Sequence, residues 1–258
     1  MSIEWLICRE PVHIGGADSS SRGNNNPIFR LSDRTPAIPG SSLRGALREG
    51  ANLSDRDRGY VNNWFGGEGE NISPGAISVG WGWPVWWPVH VLGYGNWWVT
   101  CPGWLNRFRQ LNTQPPMNLP DARDAVFVSE PALDSQTVYL RWLKLERVRH
   151  YQDELPAPEA VEPDRRIVVP DTSINAIVDM GLVRQPRVSL RDEADENGNL
   201  VENLFAVEGI PPGAVFVTAW TTRGTVEDPE QWTEFLHGEH FLGGLWSVGY
   251  GRIEIVPS

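Results

Sequence analysis

The spacing of apolar residues along this chain predicts which segments form strands and which form helices. Short apolar runs, bounded by Gly, Pro or polar residues, predict strands. These runs are Ile3 to Cys8, Ile77 to Trp83, Asn96 to Thr100, Thr137 to Val148, Ala214 to Thr221 and Arg252 to Val256. Apolar residues at intervals of three and four predict helices that begin at Gly40, Pro102, Thr172 and Pro229, and proline favours the first turn of a helix. We expect Asp171 or Thr172 to cap the third of these helices.

The order of these elements predicts an α+β fold. Strand, helix, strand, strand and helix follow one another from Ile3 onward, and a last strand lies at Arg252 to Val256. This is the order of a ferredoxin-like core. In this interpretation Asn96 to Thr100 is the third strand, and the helix from Pro102 is the second helix. The length of 258 residues suits one such domain, which we assign to residues 1–258.

Two segments interrupt this order. Residues 11–36 form a long loop rich in Gly, Ser and Asn, and a loop of this length is either functional or mobile. Residues 184–207 predict a β-hairpin with an acidic tip, because Asn197-Gly198 is a strong turn signal between two apolar stretches. We expect both segments to be insertions in the core.

The charge of the chain limits how it could bind a polyanion. The formal net charge is −11, which opposes binding of a nucleic acid by bulk attraction. Lys144 is the only lysine, so nearly all cations are arginines, which form paired hydrogen bonds to phosphate and stack on bases. Any nucleic acid would therefore lie in a local groove or between subunits. A bias in genomic base composition also explains the scarcity of lysine.

Other features of the composition favour a cytoplasmic protein. The two cysteines, Cys8 and Cys101, do not form a disulfide framework, which fits a reducing compartment. The N-terminus lacks the basic and apolar regions of a signal peptide. No apolar run is long enough to span a membrane.

The segment from Gly40 to Arg48 is the first candidate binding site. Gly40, Ser41 and Ser42 would begin a helix, where free backbone N–H groups and the helix dipole favour an anion. Arg44 and Arg48 lie one turn apart on one face of this helix. An exposed helix face is the alternative interpretation of these two arginines.

A glycine-rich loop before the last strand is the second candidate. Gly243, Gly244, Gly249 and Gly251 lie within nine residues, and glycine allows a backbone to approach a ligand closely. Such a loop alone is a weak signal, because it could be an ordinary turn. The two segments together predict contact with a phosphate backbone.

At these motifs the sequence resembles the RAMP superfamily of CRISPR-associated RNA-binding proteins, and most of all the repeated backbone subunit of type III-B (Cmr) effectors. Five ordered segments that span nearly the whole chain support the resemblance. They are Pro11 to Gly16, Asn26 to Arg30 with Pro36 to Arg48, Trp97 to Phe108, Glu208 to Phe216, and Gly243 to Gly251.

The resemblance implies a fold, ligands and an assembly. The fold would be a modified ferredoxin-like or RRM-like core with a thumb hairpin. The ligands would be guide CRISPR RNA, held by its backbone without reading of its sequence, and target RNA. Copies of the chain would stack along the guide beside other type III subunits, and the thumb would kink the guide–target duplex.

The resemblance also places a catalytic position, and here the sequence departs from the family. Family members cut target RNA with a metal ion and one Asp just before the Pro-Ile-x-Arg motif, and that position holds Asn25 here. An amide cannot act as a base or bind a divalent cation as a carboxylate does. We therefore predict binding without cleavage and no cofactor. The alternative is a metal-dependent endoribonuclease that uses Asp18 or Asp33.

Several other residues are open to two interpretations. Arg22 and Arg30 lie in or beside the polar loop and could contact RNA. His13 is a candidate contact too, although a single histidine at a strand end is more often structural than a general base. His237 and His240 have helical spacing but no further ligand pattern, so we predict no metal site.

The Trp-rich region also has two interpretations. Tryptophans from Trp81 to Trp98 could stack on bases. Their alternation with Val and Pro favours a core or a subunit interface. A Trp-rich module that binds carbohydrate or protein is the alternative function that involves no nucleic acid.

Overall fold

A computed structural model gives the fold of the chain. It describes residues 1–15, 25–54, 56–67, 72–117, 119, 126–128, 137–151, 154–192, 198 and 200–258. The helices in these ranges are α1 (Gly40–Leu53), α2 (Arg58–Phe65), α3 (Pro102–Leu111), α4 (Asp171–Gly181) and α5 (Pro229–Leu236). Three of the four predicted helices begin at the expected residue, and α4 begins one residue earlier. The sequence patterns did not predict α2.

The described residues also form fifteen strands. They are β1 (Ser2–Cys8), β2 (Asn25–Asn26), β3 (Ile77–Val79), β4 (Trp83–Val91), β5 (Gly95–Thr100), β6 (Val126–Val128), β7 (Thr137–Leu140), β8 (Leu143–Glu146), β9 (Val148–His150), β10 (Arg166–Val168), β11 (Val183–Leu190), β12 (Val201–Gly209), β13 (Val215–Thr222), β14 (Gly238–Phe241) and β15 (Arg252–Pro257). The mixture of helices and a large sheet confirms the predicted α+β class.

The centre of the main sheet has the predicted element order, but with different elements. β1 pairs antiparallel with β13 and β15, and β13 also pairs antiparallel with β4. Helix α1 lies between β1 and β4 in the chain, and α5 lies between β13 and β15. The third strand is therefore β13 and the second helix is α5. The assignment of Asn96 to Thr100 and the helix from Pro102 to these places was wrong, because β5 pairs on the outer side of β4.

The central strands are buried on both faces, which explains their continuous apolar sequence. In β1, Ile3, Trp5 and Ile7 pack into one cluster, and Leu6 and Cys8 pack into the other. The larger cluster contains the apolar side of α1 and the aromatic residues of α2 and α5. The smaller cluster contains α3, whose Phe108 stacks on Trp5 with ring centroids 4.6 Å apart.

The thumb segment is an antiparallel hairpin of β11 and β12. Val183 pairs with Gly209 at its base, and Leu190 pairs with Val201 near its end. β2 extends this small sheet, because Asn25 and Asn26 pair in parallel with Ala206 and Val207. The Asn197-Gly198 turn lies largely outside the described residues. So does part of the polar loop, residues 16–24.

One predicted cap has a different role. Helix α4 begins at Asp171 itself, after Pro170, and no side chain caps it. The Asp171 side chain instead accepts a hydrogen bond from the Gly103 backbone N–H, 2.8 Å away, in the first turn of α3. The carboxylate thus satisfies one of the free N–H groups of α3 and ties α3 to α4.

Candidate nucleic-acid interface

The first turn of α1 differs in part from the expected anion site. The Ser42 N–H donates to the Pro39 carbonyl at 3.0 Å, so the expectation of a free amide at Ser42 was wrong. Gly40 is buried, and a Cβ there would lie 3.0 Å from the Gly80 carbonyl oxygen. This glycine is therefore needed for contact with the end of β3. Ser41 is exposed, and it is the part of this turn that an anion could reach.

Arg44 and Arg48 lie on one face of α1 as expected, and both contact the end of α2. Nη2 of Arg44 donates to the Phe65 carbonyl, and Nη2 of Arg48 donates to the Gly66 carbonyl at 3.0 Å. Both side chains are half-buried. The positive charges thus satisfy carbonyls at the C-terminal end of α2, where the helix dipole favours cations. Contact of these arginines with RNA stays a prediction.

The glycine-rich loop packs against the segment that contains His13. The Gly244 N–H donates to the His13 carbonyl at 3.0 Å, and a Cβ on Gly243 would lie 2.2 Å from the same oxygen. A Cβ on Gly251 would also lie close to another backbone atom, 2.9 Å from the Leu242 carbonyl oxygen. A Cβ on Gly244 or Gly249 would meet open space. Only these last two therefore leave room for a ligand.

His13 connects this loop to the thumb. Its Nδ1 donates to the Glu208 carbonyl in β12, 2.7 Å away. Glu208 also binds two other groups, because its Oε2 accepts the Ile28 N–H at 3.3 Å and its Oε1 lies 3.4 Å from Arg184. The polar loop and the thumb base thus meet at Glu208, and His13 links the glycine-rich loop to them. Sequence reasoning gave this residue no role of its own, although it begins one of the five family segments.

Arg30 lies beside this junction in a cluster of charges. Its guanidinium is 2.8 Å from the Asp179 carboxylate at the end of α4, and Arg34 binds the other oxygen of Asp179. Arg184 donates to the Asp179 backbone carbonyl at 2.9 Å. Three arginines thus share two acidic residues, Asp179 and Glu208.

The candidate catalytic residues are only partly within the described residues. Asn25 lies beside thumb strand β12 through its backbone, and its side chain is not described. Asp18 and Arg22 lie outside the described residues. Asp33 forms a turn in which its Oδ1 accepts the Thr35 N–H at 2.9 Å. Among the described residues, no group of three or more His, Cys, Asp or Glu is arranged to hold a metal ion.

Most of the Trp-rich region forms core. Trp86, Trp87 and Trp97 are buried, as the core interpretation predicts. Trp81 and Trp83 are different, because they stack on each other at the surface with centroids 6.0 Å apart, and Trp81 is 39% exposed.

Burial changes the pKa values of three groups near these elements. It raises the pKa of the Cys8 thiol and that of Cys101, where a hydrogen bond to Asp171 raises the pKa further. Both thiols are therefore protonated at neutral pH. Burial lowers the pKa of His240, so this side chain is neutral in the folded chain. Its Nε2 donates to the Leu236 carbonyl at 3.1 Å.

The fold is that of an α+β protein, and a comparison of sequences identifies its family. The family model of the RAMP superfamily matches residues 5–254. The chain therefore belongs to the RAMP superfamily.

Several solved structures share the fold of the chain. A chain in the apo state of a type III-B Cmr-beta complex is 16% identical with a TM-score of 0.78, over 99% of this chain and 96% of that one. A crystal structure of Cmr4 is 22% identical with a TM-score of 0.73, over 99% and 98%. Oligomeric Cmr4 from Pyrococcus furiosus is 21% identical with a TM-score of 0.71, over 99% and 97%. At these identities the likeness shows a shared fold.

Two further searches gave negative results. No curated protein matches the chain closely enough in sequence to count as a relative. Within the described ranges, no helix has the length and apolar character needed to cross a membrane.

Proposed function

We propose that this chain is the guide-RNA-binding backbone subunit of a type III-B CRISPR effector, and that copies of it stack along the guide without cutting target RNA. The observation that carries the proposal is the RAMP match over residues 5–254, together with a fold shared with Cmr-beta and Cmr4 chains over nearly the whole length. One similar structure is described as bound to cognate target RNA, and another as oligomeric.

The junction at Glu208 gives this function a chemical basis. The Arg30, Arg34 and Arg184 cluster offers guanidinium groups, and Ser41 offers an exposed polar side chain. These groups bind phosphate oxygens without reading bases. The open sides of Gly244 and Gly249 leave room for an RNA backbone to approach, although their own amides are bonded within the chain. Because the whole chain carries a charge of −11, such local groups have to supply the attraction. Shared grooves between stacked copies would place more arginines around the same RNA.

The absence of cleavage rests on Asn25. Asn25 pairs with thumb strand β12, so the family position lies beside the element that would hold the target strand. Cleavage there would need a carboxylate that binds a divalent metal or moves a proton at the 2′-hydroxyl. An amide moves no proton at any ordinary pH and, being uncharged, binds a divalent metal more weakly than a carboxylate does. Loss of an acid–base group lowers rates by about 10²–10⁴.

The cleavage assay compares wild type with Asn25→Asp on labelled target RNA with Mg²⁺ or Mn²⁺. We expect no products from wild type and a ladder of regular spacing from Asn25→Asp. A ladder from wild type that is lost in Asp18→Ala or Asp33→Ala would show that the chain is an endoribonuclease and that a divalent metal is its cofactor.

RNA binding itself is tested on the chain isolated from its host. We expect guide RNA and other type III effector subunits to accompany it, and we expect the complex in the cytoplasm. If only a carbohydrate or a protein is bound, with no absorbance excess near 260 nm, the Trp-rich binding module becomes the better account.

A further inference from the structure

A cavity of about 300 Å³ lies outside the junction at Glu208, at the lower end of the range for small-ligand sites. The loop from Leu31 to Thr35 forms one side of it, and α3 and α4 form the others. The residues on which the argument depends are Asp33, Trp83, Cys101, Arg107, Asp171 and Asn175.

Arg107 gives this cavity a flat, cationic wall. Its guanidinium carbon lies 4.2 Å from the centroid of the Trp83 ring, and Trp81 stacks further along the same row. Arg107 is exposed. Within the described part of the chain, its guanidinium packs on the Trp83 ring and makes no hydrogen bond or ion pair. The stacking holds the guanidinium plane in place, and its outer face and its N–H groups stay accessible.

The lining of the cavity also offers hydrogen-bond acceptors. Nδ2 of Asn175 donates to the Asp33 carbonyl at 3.0 Å, whereas its Oδ1 is buried and has no hydrogen-bond partner among the described residues. A buried polar atom without a partner is costly, so it indicates a missing donor. The carboxylates of Asp33 and Asp171 are fixed by the Thr35 and Gly103 amides, and each keeps further acceptor capacity.

We propose that this cavity binds one unpaired nucleobase that carries an exocyclic amine: adenine, cytosine or guanine. The base stacks on the outer face of Arg107, and its amine donates to Asn175 Oδ1 or Asp33. Uracil has no exocyclic amine, and its one free ring donor, N3–H, lies between two carbonyl oxygens that these acceptors would repel. A basic side chain from a partner protein fits less well, because Arg107 would repel it. The proposal rests on the proposed function, since it assigns a binding site to bases displaced from a bound RNA.

The first experiment measures base preference with the full chain. Fluorescence anisotropy gives the dissociation constants of single-stranded A12, C12 and U12 RNA for wild type, Arg107→Ala, Asn175→Leu and Arg109→Ala. Arg109 is the matched control, because it lies on α3 but donates to the Pro115 carbonyl and does not line the cavity. Thermal melts followed by circular dichroism show that each variant is folded.

We expect wild type to bind A12 and C12 at least about fivefold more tightly than U12. The ratio should fall to about one in Arg107→Ala and Asn175→Leu and should persist in Arg109→Ala. Equal binding of all three RNAs by wild type would overturn this inference and leave the proposed function intact, whereas no RNA binding at all would refute the proposed function. A preference that Arg107→Ala leaves unchanged would also overturn the inference. If that variant instead weakens association between copies, the cavity takes a protein side chain.

A second experiment identifies the strand that supplies the base. 2-Aminopurine, which carries an exocyclic amine, is placed at single positions of the guide or of the target in the reconstituted complex. We expect fluorescence at regularly spaced positions of one strand to change between wild type and Arg107→Ala. No difference at any position of either strand would refute the site.

Discussion

At the scale of single residues, Gly243 is held in place by the chain's own backbone. Its φ of +83° is one that residues with a Cβ seldom adopt, and a Cβ would collide with the His13 carbonyl oxygen. We predict that Gly243→Ala destabilises the fold by about 1–3 kcal/mol, measured by urea unfolding. The same change would separate the glycine-rich loop from His13 and weaken RNA binding.

Gly244→Ala is the matched control, because a Cβ at this neighbouring glycine meets open space. Its free energy of unfolding should stay within about 0.5 kcal/mol of wild type. Equal losses of unfolding free energy in both variants would show that the close contact with the His13 carbonyl is not the reason why Gly243→Ala is destabilising.

His240 should make stability depend on pH. Burial lowers its pKa below the ordinary value near 6.5, so the unfolded chain binds a proton more readily than the folded chain does. The stabilisation from neutral His240 is therefore present above about pH 6.5 and is lost as the pH falls from 6.5 through the pKa of the folded state, with a slope of up to about 1.4 kcal/mol per pH unit.

Urea unfolding between pH 5 and 7.5 tests this expectation. His240→Gln keeps a donor for the Leu236 carbonyl and should flatten the profile in this range. His90→Gln changes an exposed histidine and should leave the profile unchanged. A wild-type slope that persists in His240→Gln would assign the dependence to another group.

At the scale of elements, α1 anchors α2, and its Arg44 and Arg48 are also proposed to contact RNA. Replacing Arg44 and Arg48 by Gln removes the charges and most of the donors to Phe65 and Gly66. We predict a loss of stability of about 1–3 kcal/mol per arginine. If both arginines also bind phosphate, the slope of log K against log salt should fall by about 1.4.

The double Lys variant separates the two roles. Lysine keeps the charge but lacks the planar fork that reaches two acceptors. This variant should lose stability and keep most of the salt dependence. An unchanged salt slope in the double Gln variant would show that these arginines serve only the contact between α1 and α2.

The thumb hairpin presents an apolar surface that its own core does not use. Val188 is 53% exposed and Leu190 is 63% exposed, and they pair across the hairpin with Leu204 and Val201. We predict that Val188→Ser with Leu190→Ser leaves the unfolding free energy nearly unchanged and keeps guide binding. Target RNA should dissociate several-fold faster, because an apolar wedge between bases is lost.

Leu92→Ser is the matched control, since Leu92 is 62% exposed but lies at the turn between β4 and β5. Leu92→Ser should change neither the unfolding free energy, nor guide binding, nor the rate at which target RNA dissociates. Similar effects of both substitutions would indicate a general loss of solubility and not a role of the thumb.

The helices and the hairpin could be predicted from sequence because their signals are local. Pro102 and Pro229 fix first turns, and Leu43 and Leu47 repeat at helical spacing. Pairing partners could not be predicted in the same way. β5 and β13 have similar apolar sequences, and only contacts between distant residues place β13 beside β1. The role of Glu208 was missed for the same reason, since its partners are some 180 and 195 residues away.

At the scale of the whole molecule, charge and shape together favour an assembly. A chain of charge −11 repels RNA on most of its surface, and only local groups such as Arg30, Arg34 and Arg184 beside the thumb base can offset that repulsion. A contact that repeats head to tail, without closing into a ring, produces a filament. Several copies along one RNA would together place enough positive groups around it to offset the repulsion that a single acidic copy exerts.

The most direct test of this account measures the mass of complexes formed with guide RNAs of increasing length. Purified chain is mixed with RNAs that differ by a constant number of nucleotides, and mass photometry counts the copies in each complex. The account predicts that copies are added in steps as the RNA lengthens, and that the free chain does not form such a series. One copy per RNA at every length, or no bound RNA, would contradict it.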